Sequence, residues 1–433
     1  MKSIKSNSII IVWIFGVVFS TLFSFSQWAE NTRPEGNLVI IGGGLNSTTS
    51  SIYNKFIDLG GGKEKIRIAI IPTAGGTPVQ SGQYMLDEFA RYGVPKTSIE
   101  VFPVAVMDDP STPGTDESKW SENGFKQELA DKMRGFNAVF FTGGDQLRYV
   151  KTLKTPDGKD GPLLTAIREI YMKGGVLGGT SAGAAMQTDP MICDGAPIDA
   201  VLKGAHYQVD TCSSEPGVSI TRGLGFMDAG LVDQHFFKRG RLGRLITALN
   251  HLQTTLGIGI DEDTAAVFHG KTKTIEVVGN SGVLIVDTSK ASIKMTENGL
   301  KAGNVVVHYL EQGDFYDIGT GKFTISPNRK LIEKGKEYYT SPGFTTDIFG
   351  KDAIKDAIIT GLGDNSSTEA GGISFALGNE KNGIVNGNGV RITLRKNANT
   401  LSYNGTINDN DTYSVLNISV EIVPIRINID IIK

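Results

Sequence analysis

Residues 176–186 read VLGGTSAGAAM. Two apolar residues and a glycine lead into Gly179-Thr180-Ser181-Ala182-Gly183, a G-x-S-x-G, and Ala184, Ala185 and Met186 follow. A serine between two glycines arises often by chance in a chain with 54 glycines, so the motif is informative only in context. A serine nucleophile of this kind needs a buried strand before it, a helix after it and partners elsewhere. Val176–Leu177 reads as the end of a short apolar strand, and the small residues after Ser181 suit a helix lying close against it. Ser181 is therefore expected at the apex of a strand–turn–helix unit.

Working outward, the same grammar recurs upstream. Asn37–Ile41 (NLVII) runs into Gly42–Gly44, Ile66–Ile71 (IRIAII) into PTAGG, and Asn137–Phe141 (NAVFF) into TGGD. Runs with little polar alternation are strands buried on both faces, as in a parallel sheet, and ligands bind at the C-terminal ends of such strands. Helical periodicity separates them. Met85, Phe89 and Tyr92 share a stripe in Tyr84–Tyr92, as do Leu163, Ile167 and Ile170 in Leu163–Met172, after Pro162 at the helix start. Alternating strands and helices predict an α/β fold, a three-layer α/β/α sandwich around a mostly parallel sheet.

At 433 residues, with 39 % hydrophobic and 21 % charged residues, the chain can bury a full core, and disorder is not expected as a global state. A net charge of −3 provides no basic field for nucleic acid. MKSIK followed by the apolar Ser8–Phe25 and small residues near Ser26 has the layout of a secretory signal peptide, residues 1–27. That layout predicts a secreted or periplasmic protein with no stable membrane insertion after cleavage. Two cysteines and five histidines without an H-x-x-x-H pair make a tightly held metal unexpected. Both cysteines, Cys193 and Cys212, lie in one segment, and in an exported protein they are expected to form a disulfide. Gly195, Pro197 and the polar run 210–215 predict little regular structure there.

Ser181 needs a base, and the base an orienting acid. Of the five histidines only His235, in GLVDQHFFKRGRLGRL (230–245), both follows a strand and sits among polar groups. The acid is one of Asp194, Asp199, Asp233 or the run Asp261–Glu262–Asp263, which the apolar Gly257–Ile260 delivers at a strand end. An oxyanion hole would use the N–H of Ala182 and one from the TGGDQ turn, with Gly144 as donor and Gln146 facing the same crevice. Arg239, Arg241 and Arg244 suit recognition of carboxylates by paired N–H donors. The G-x-G-x-x-G and G-x-x-x-x-G-K-[ST] patterns are missing, so phosphate binding is not expected.

Together LVIIGGG (38–44), IAIIPTAGG (68–76), FFTGGDQLR (140–148), GGTSAGAAM (178–186), VDQHFFKRGRLGRL (232–245) and GIGIDEDTA (257–265) resemble cyanophycinases, in the wider family that includes aspartyl dipeptidase (peptidase E). The resemblance runs from about residue 37 to 323. It implies Ser181 as nucleophile, His235 as base and Glu262 as acid, with Gln146, Asp233, Gln234, Arg239, Arg241 and Arg244 contacting substrate and no cofactor. The stretch MICDGAPIDAVLKG (191–204) is longer than that family carries. In the dipeptidase branch an aspartate between serine and histidine does the acid's work, which keeps Asp199 and Asp194 in play. The implied substrate is cyanophycin, a poly-aspartate with arginine amide-linked to each side chain, released as β-Asp-Arg dipeptides. Cleavage of α-aspartyl or isoaspartyl peptides, or binding without turnover, are the competing expectations. Oligomeric state, a homodimer included, stays open.

The expected organisation is a signal peptide (1–27), a catalytic domain (28–323) and a small β-rich C-terminal extension (324–433). The extension carries the strand-like runs GISFAL, GVRITL and TYSVLNISVEIVPIRINI, with Asn386–Gly387 expected in a turn.

Overall fold

The computed structural model describes residues 34–381 and 384–430. The expected signal peptide lies outside the described residues. Among those residues no helix is long and apolar enough to cross a membrane.

A nine-stranded sheet forms the frame of the first half. Asn37–Ile41, Val176–Thr180, Ala138–Phe141, Ile68–Ile71 and Ile99–Val101 lie side by side in that order, all parallel. Thr264–His269, Thr274–Gly279, Phe315–Asp317 and Lys322–Thr324 continue it antiparallel beyond Asn37–Ile41. The apolar runs have no alternation because both faces are covered. Val39, Ile41, Ile68, Ile70 and Phe140 pack with Ile52, Phe56 and Phe89 on one side. Leu38, Ile40, Ala69, Ile71, Val139 and Phe141 pack with Leu163, Ile167 and Ile170 on the other. Each fully buried side chain of this size contributes about 1.5–3 kcal/mol of transfer free energy. The expected helices form as Pro78–Arg91 and Pro162–Met172, each with proline in its first turn. Met85 and Phe89 are buried, and Tyr92 stacks on Tyr53 with ring centroids 4.4 Å apart.

The strands that end at the histidine and the acidic run belong to a second sheet. Leu231–Gln234 pairs in parallel with Leu256–Ile260, and an eleven-stranded sheet grows from them through Gly282–Asp287 and Gly299–Glu311. From Gly299–Glu311 it continues into Asn410–Asp430, Ile384–Arg395 and Glu369–Lys381. The chain crosses between sheets at residues 261–263: Leu256–Ile260 lies in the second and Thr264–His269 in the first. A separate core of Leu231, Phe236, Phe237, Leu245, Ile246, Leu284, Val307, Ile392 and Ile418 fills the space beneath the second sheet.

The C-terminal extension is β-rich, and it is built into the second sheet rather than hung on its end. The run from Thr412 is one continuous strand, Asn410–Asp430, pairing with Gly299–Glu311 on one side and Ile384–Arg395 on the other. Asn386 and Gly387 are not a turn: they sit inside a strand opposite Asn428 and Ile427. Ile384–Arg395 also pairs with Glu369–Lys381, out to Glu380–Val385 and Lys381–Ile384. A buried ion pair stitches the extension in place, Arg329 Nη2 to Asp314 Oδ1 at 2.6 Å, with Ser414 Oγ donating to Asp314 Oδ2 at 2.6 Å.

The segment between the two cysteines also departs from expectation. It carries the strand Met191–Asp194, the helix Pro197–Lys203 and the strand Ala205–Tyr207; with Val218–Thr221 the strands make a three-stranded sheet. Pro197 is the first residue of that helix, a position where its missing N–H costs nothing. Cys193 and Cys212 form a disulfide, their Cα atoms 5.9 Å apart.

Candidate active site

Val176–Thr180 lies between the parallel strands Asn37–Ile41 and Ala138–Phe141, and at its C-terminal end the chain must reverse into the helix Ala182–Ala185 within one residue. Ser181 makes that turn with φ 54° and ψ −107°, a conformation that costs a non-glycine residue of order 1–3 kcal/mol. The turn is held from outside, because Ser181 N–H donates to the Ile41 carbonyl (3.0 Å), while Ala184 and Ala185 N–H close on the Ser181 carbonyl. Strain of this kind lifts the hydroxyl clear of the sheet edge.

His235 arrives from the second sheet. It follows Leu231–Gln234 with φ 50°, and its N–H donates to the Gly42 carbonyl at 2.7 Å. Its Nε2 lies 2.8 Å from Ser181 Oγ, and its Nδ1 lies 2.6 Å from Glu262 Oε1. Burial lowers the imidazole below its usual proton affinity; Arg239 and Arg241 add to this, and the hydrogen bond to Glu262 opposes it. A neutral ring donating Nδ1–H to Glu262 leaves Nε2 free to accept the serine proton.

The three consecutive acids of the crossing have three separate partners. Asp261, fully buried, accepts from the N–H groups of Phe237 (3.0 Å) and Lys238 (3.1 Å) and from Ser281 Oγ (2.7 Å). Glu262 meets His235. Asp263 turns outward to Thr49 Oγ1, the Asn46 N–H and Asn280 Nδ2, while its own N–H donates to the Gly43 carbonyl. Asp194 caps the Gly195 N–H and Asp199 sits in the first turn of Pro197–Lys203; neither is hydrogen-bonded to His235.

The glycine run at the end of Asn37–Ile41 is part of this arrangement, a role that the sequence alone did not disclose. A Cβ on Gly43 would stand 2.2 Å from His235 Cε1, and one on Gly44 would stand 2.8 Å from Glu262 Oε2. The signal was visible as three glycines, but which side chains they make room for depends on two sheets meeting. On the other side of the serine, Gly143 faces Ser181, with a built Cβ 3.3 Å from Ser181 Cβ. Among the described residues the N–H groups of Gly143, Gly144 and Ala182 have no protein acceptor.

The polar set around His235 divides in a way the motif alone does not reveal. Asp233 is completely buried and receives Arg244 Nε (3.0 Å) and Nη2 (2.6 Å) together with Arg241 Nη1 (3.3 Å). Burial works against its ionisation, but the Arg244 and Arg241 guanidiniums outweigh that and hold its carboxyl below the usual carboxylate range. Arg244 Nη1 also donates to the Gly195 carbonyl (2.8 Å), so it ties the loop after the disulfide to the histidine strand. The expectation that Asp233 and Arg244 face substrate gives way here to an internal ion pair, because two arginines within a turn of one another converge on the one carboxylate beneath them. Arg241 retains Nε and Nη2 without a protein partner among the described residues. Arg239 is exposed and free of ion pairs among the described residues. Gln234 is buried with an unpartnered Oε1. Gln146 donates Nε2 to the carbonyls of Ile192 (3.1 Å) and Cys193 (2.8 Å), holding the disulfide-linked strand against the TGGDQ turn.

The model of peptidase family S51 matches residues 121–276, a span containing Ser181, His235 and Glu262. A cyanophycinase of Geminocystis herdmanii is 34 % identical over 288 residues, 65 % of this chain and 93 % of that protein. A cyanophycinase of Synechococcus elongatus is 31 % identical over 299 residues, 67 % of this chain and 82 % of that protein. A solved peptidase from an acI-B1 Actinobacterium is 22 % identical with a TM-score of 0.41, covering 59 % of this chain and 92 % of that one. Identity above 30 % along nearly the whole of a curated relative settles the kinship: the chain belongs to peptidase family S51 and is a cyanophycinase-like serine-type peptidase.

Proposed function

We propose that this protein is an exported hydrolase of cyanophycin, cutting the polymer to β-Asp-Arg dipeptides through Ser181, His235 and Glu262. The observation that carries the mechanism is the unbroken hydrogen-bonded line from Ser181 Oγ through both ring nitrogens of His235 to Glu262. His235 Nε2 takes the serine proton as Oγ attacks the scissile carbonyl, and Glu262 holds the imidazolium that forms. The N–H groups of Ala182 and Gly144 stabilise the oxyanion. The proton on Nε2 then passes to the leaving amine, and water, activated by the same nitrogen, hydrolyses the acyl-enzyme.

Several features support an arginine-bearing aspartyl substrate. Arg239 and the free donors of Arg241 suit its carboxylates, and Gln146 and the unpartnered Gln234 Oε1 offer acceptors for its guanidinium. The relatives described above are named cyanophycinases. Export is supported by the N-terminal layout and by the Cys193–Cys212 disulfide, a bond that persists in oxidising compartments. Catalysis would reside in residues 28–323, with 324–433 as an added β-rich part.

The test is hydrolysis of purified cyanophycin by the full chain, with products identified by mass. β-Asp-Arg should appear, and Ser181→Ala should lower turnover by roughly four to six orders of magnitude with the fold intact. Cleavage of α-aspartyl or isoaspartyl dipeptides with the polymer left whole would overturn the substrate; near-normal turnover by Ser181→Ala would overturn the nucleophile.

A further inference from the structure

The loop that follows His235 is gripped by the C-terminal extension. Asp352 accepts both hydrogen bonds of Lys238 Nζ, at 2.8 Å to each carboxylate oxygen, and its own N–H donates to the Phe237 carbonyl at 2.9 Å. Next to it, the Phe349 carbonyl lies where a Cβ on Gly240 would be, 2.2 Å away, and the Phe349 ring covers Gly243. One helical turn further on, Lys355 Nζ donates to Ser281 Oγ (3.2 Å). Ser281 in turn donates to Asp261, whose other oxygen holds the N–H groups of Phe237 and Lys238. Asp352 and Phe349 thus contact residues 237–243, between His235 and Arg244, and Lys355 reaches the same loop through Ser281 and Asp261. All three lie outside the 121–276 span of the family match.

We propose that residues 349–355 are a positioning strap for the histidine loop, with Asp352 as its principal positioning residue. Asp352 touches no reacting atom. It acts by holding Phe237 and Lys238, and through the 235–238 backbone it sets where the His235 ring stands relative to Ser181. The hold on this loop matters because His235 itself sits at positive φ: its N–H donates to the Gly42 carbonyl, its carbonyl accepts from the Arg239 N–H and its ring makes two contacts, so where the ring stands depends on how the turn through residues 236–239 is held. The Lys238–Asp352 pair is well suited to this, since both side chains are about three-quarters buried, at 29 % and 25 % exposure. A pair so placed is screened less than one in open solvent. This inference rests on the reading of His235 as the base, not on the identity of the substrate.

The variant that isolates the effect is Asp352→Asn. Asp352 occupies the left-handed region (φ 61°), which asparagine tolerates as well as aspartate, so the backbone keeps its conformation while the charge is lost. In the full chain, kcat should fall about tenfold with KM changed less than about twofold, since small misplacements of a catalytic group are expensive in rate. Asp352→Glu, which keeps the charge, should recover most of the rate. Hydrogen exchange provides a readout independent of any substrate: the amides of Phe237 and Lys238 should exchange at least about tenfold faster in Asp352→Asn, while those of Val176–Thr180 do not change. Unchanged kcat and unchanged exchange would overturn the strap. So would a rate loss that Asp352→Glu fails to recover, or one that follows global unfolding. Faster loop exchange in a protein whose wild type hydrolyses nothing would retain the strap and discard the catalytic reading.

Discussion

Adding one methyl group at Gly43 should disable the site without replacing any residue that does chemistry. The built Cβ stands 2.2 Å from His235 Cε1, 2.5 Å from Nε2 and 2.8 Å from Nδ1, so it meets the ring across its whole edge. Ordinary contact begins near 3.4 Å, and 3.4 − 2.2 leaves about 1.2 Å by which the ring must retreat. The ring cannot pivot within its place, because Ser181 and Glu262 hold its two nitrogens and Gly42 holds its backbone. A retreat of that size stretches the 2.8 Å Ser181–His235 contact to about 4 Å, beyond hydrogen-bond range. Losing the general base costs roughly 10²–10⁴ in kcat. The backbone adds a smaller penalty: φ at Gly43 is 109°, and a non-glycine residue there is strained by about 1–3 kcal/mol. Gly43→Ala should therefore show a kcat down at least a hundredfold and a melting temperature down only a few degrees. Steady-state hydrolysis beside differential scanning calorimetry measures both. Activity within about threefold of wild type would refute the packing of Gly43 on the histidine, and a collapse of the melting transition would show that the glycine serves the fold instead.

Two further outcomes follow from the charges around the site. The pH profile of kcat/KM should show an acid limb centred below 6.5, because burial depresses the imidazole and only its neutral form can take the serine proton; Glu262→Gln, which removes a group opposing that depression, should move the limb further to acid, and a limb at or above 6.5 in the wild type would contradict the assignment. Asp233→Asn should destabilise by about 3–5 kcal/mol, since it leaves the buried Arg241 and Arg244 facing each other without their carboxylate, and a melting temperature within about 2 °C of wild type would mean that the ion pair is not what holds that loop.

The first sheet and its helices were legible residue by residue. Asn37–Ile41, Ile68–Ile71 and Ala138–Phe141 announce themselves because a strand covered on both faces must be apolar throughout, and Pro162 and the Met85–Phe89 stripe mark helices by equally local rules. The serine turn was legible for the same reason, since only small residues fit a reversal completed within one residue. The extension was harder: Asn386–Gly387 has the composition of a turn, yet its register against Asn428 and Ile427 puts it mid-strand, and register is a property of the partner chain segment.

What sequence by itself determined, then, was the inventory: a parallel α/β frame, a serine at a strand end, and a histidine and an acidic run at two others. Only the tertiary structure decided which of them meet. His235 and Glu262 come from a different sheet than Ser181, and no pattern along the chain encodes how far two sheets stand apart. The same holds for the choice among three adjacent acids, which is made by where the chain crosses between sheets: Asp261 points to the histidine loop's backbone, Glu262 to its ring, Asp263 to the solvent side. It holds as well for the arginine run, whose spacing suited substrate but whose position over Asp233 turns Arg244 inward. Local composition dictates local conformation because its causes, sterics and periodic burial, act within a few residues. Contacts between elements depend on the packing of the whole, and the site is made of such contacts.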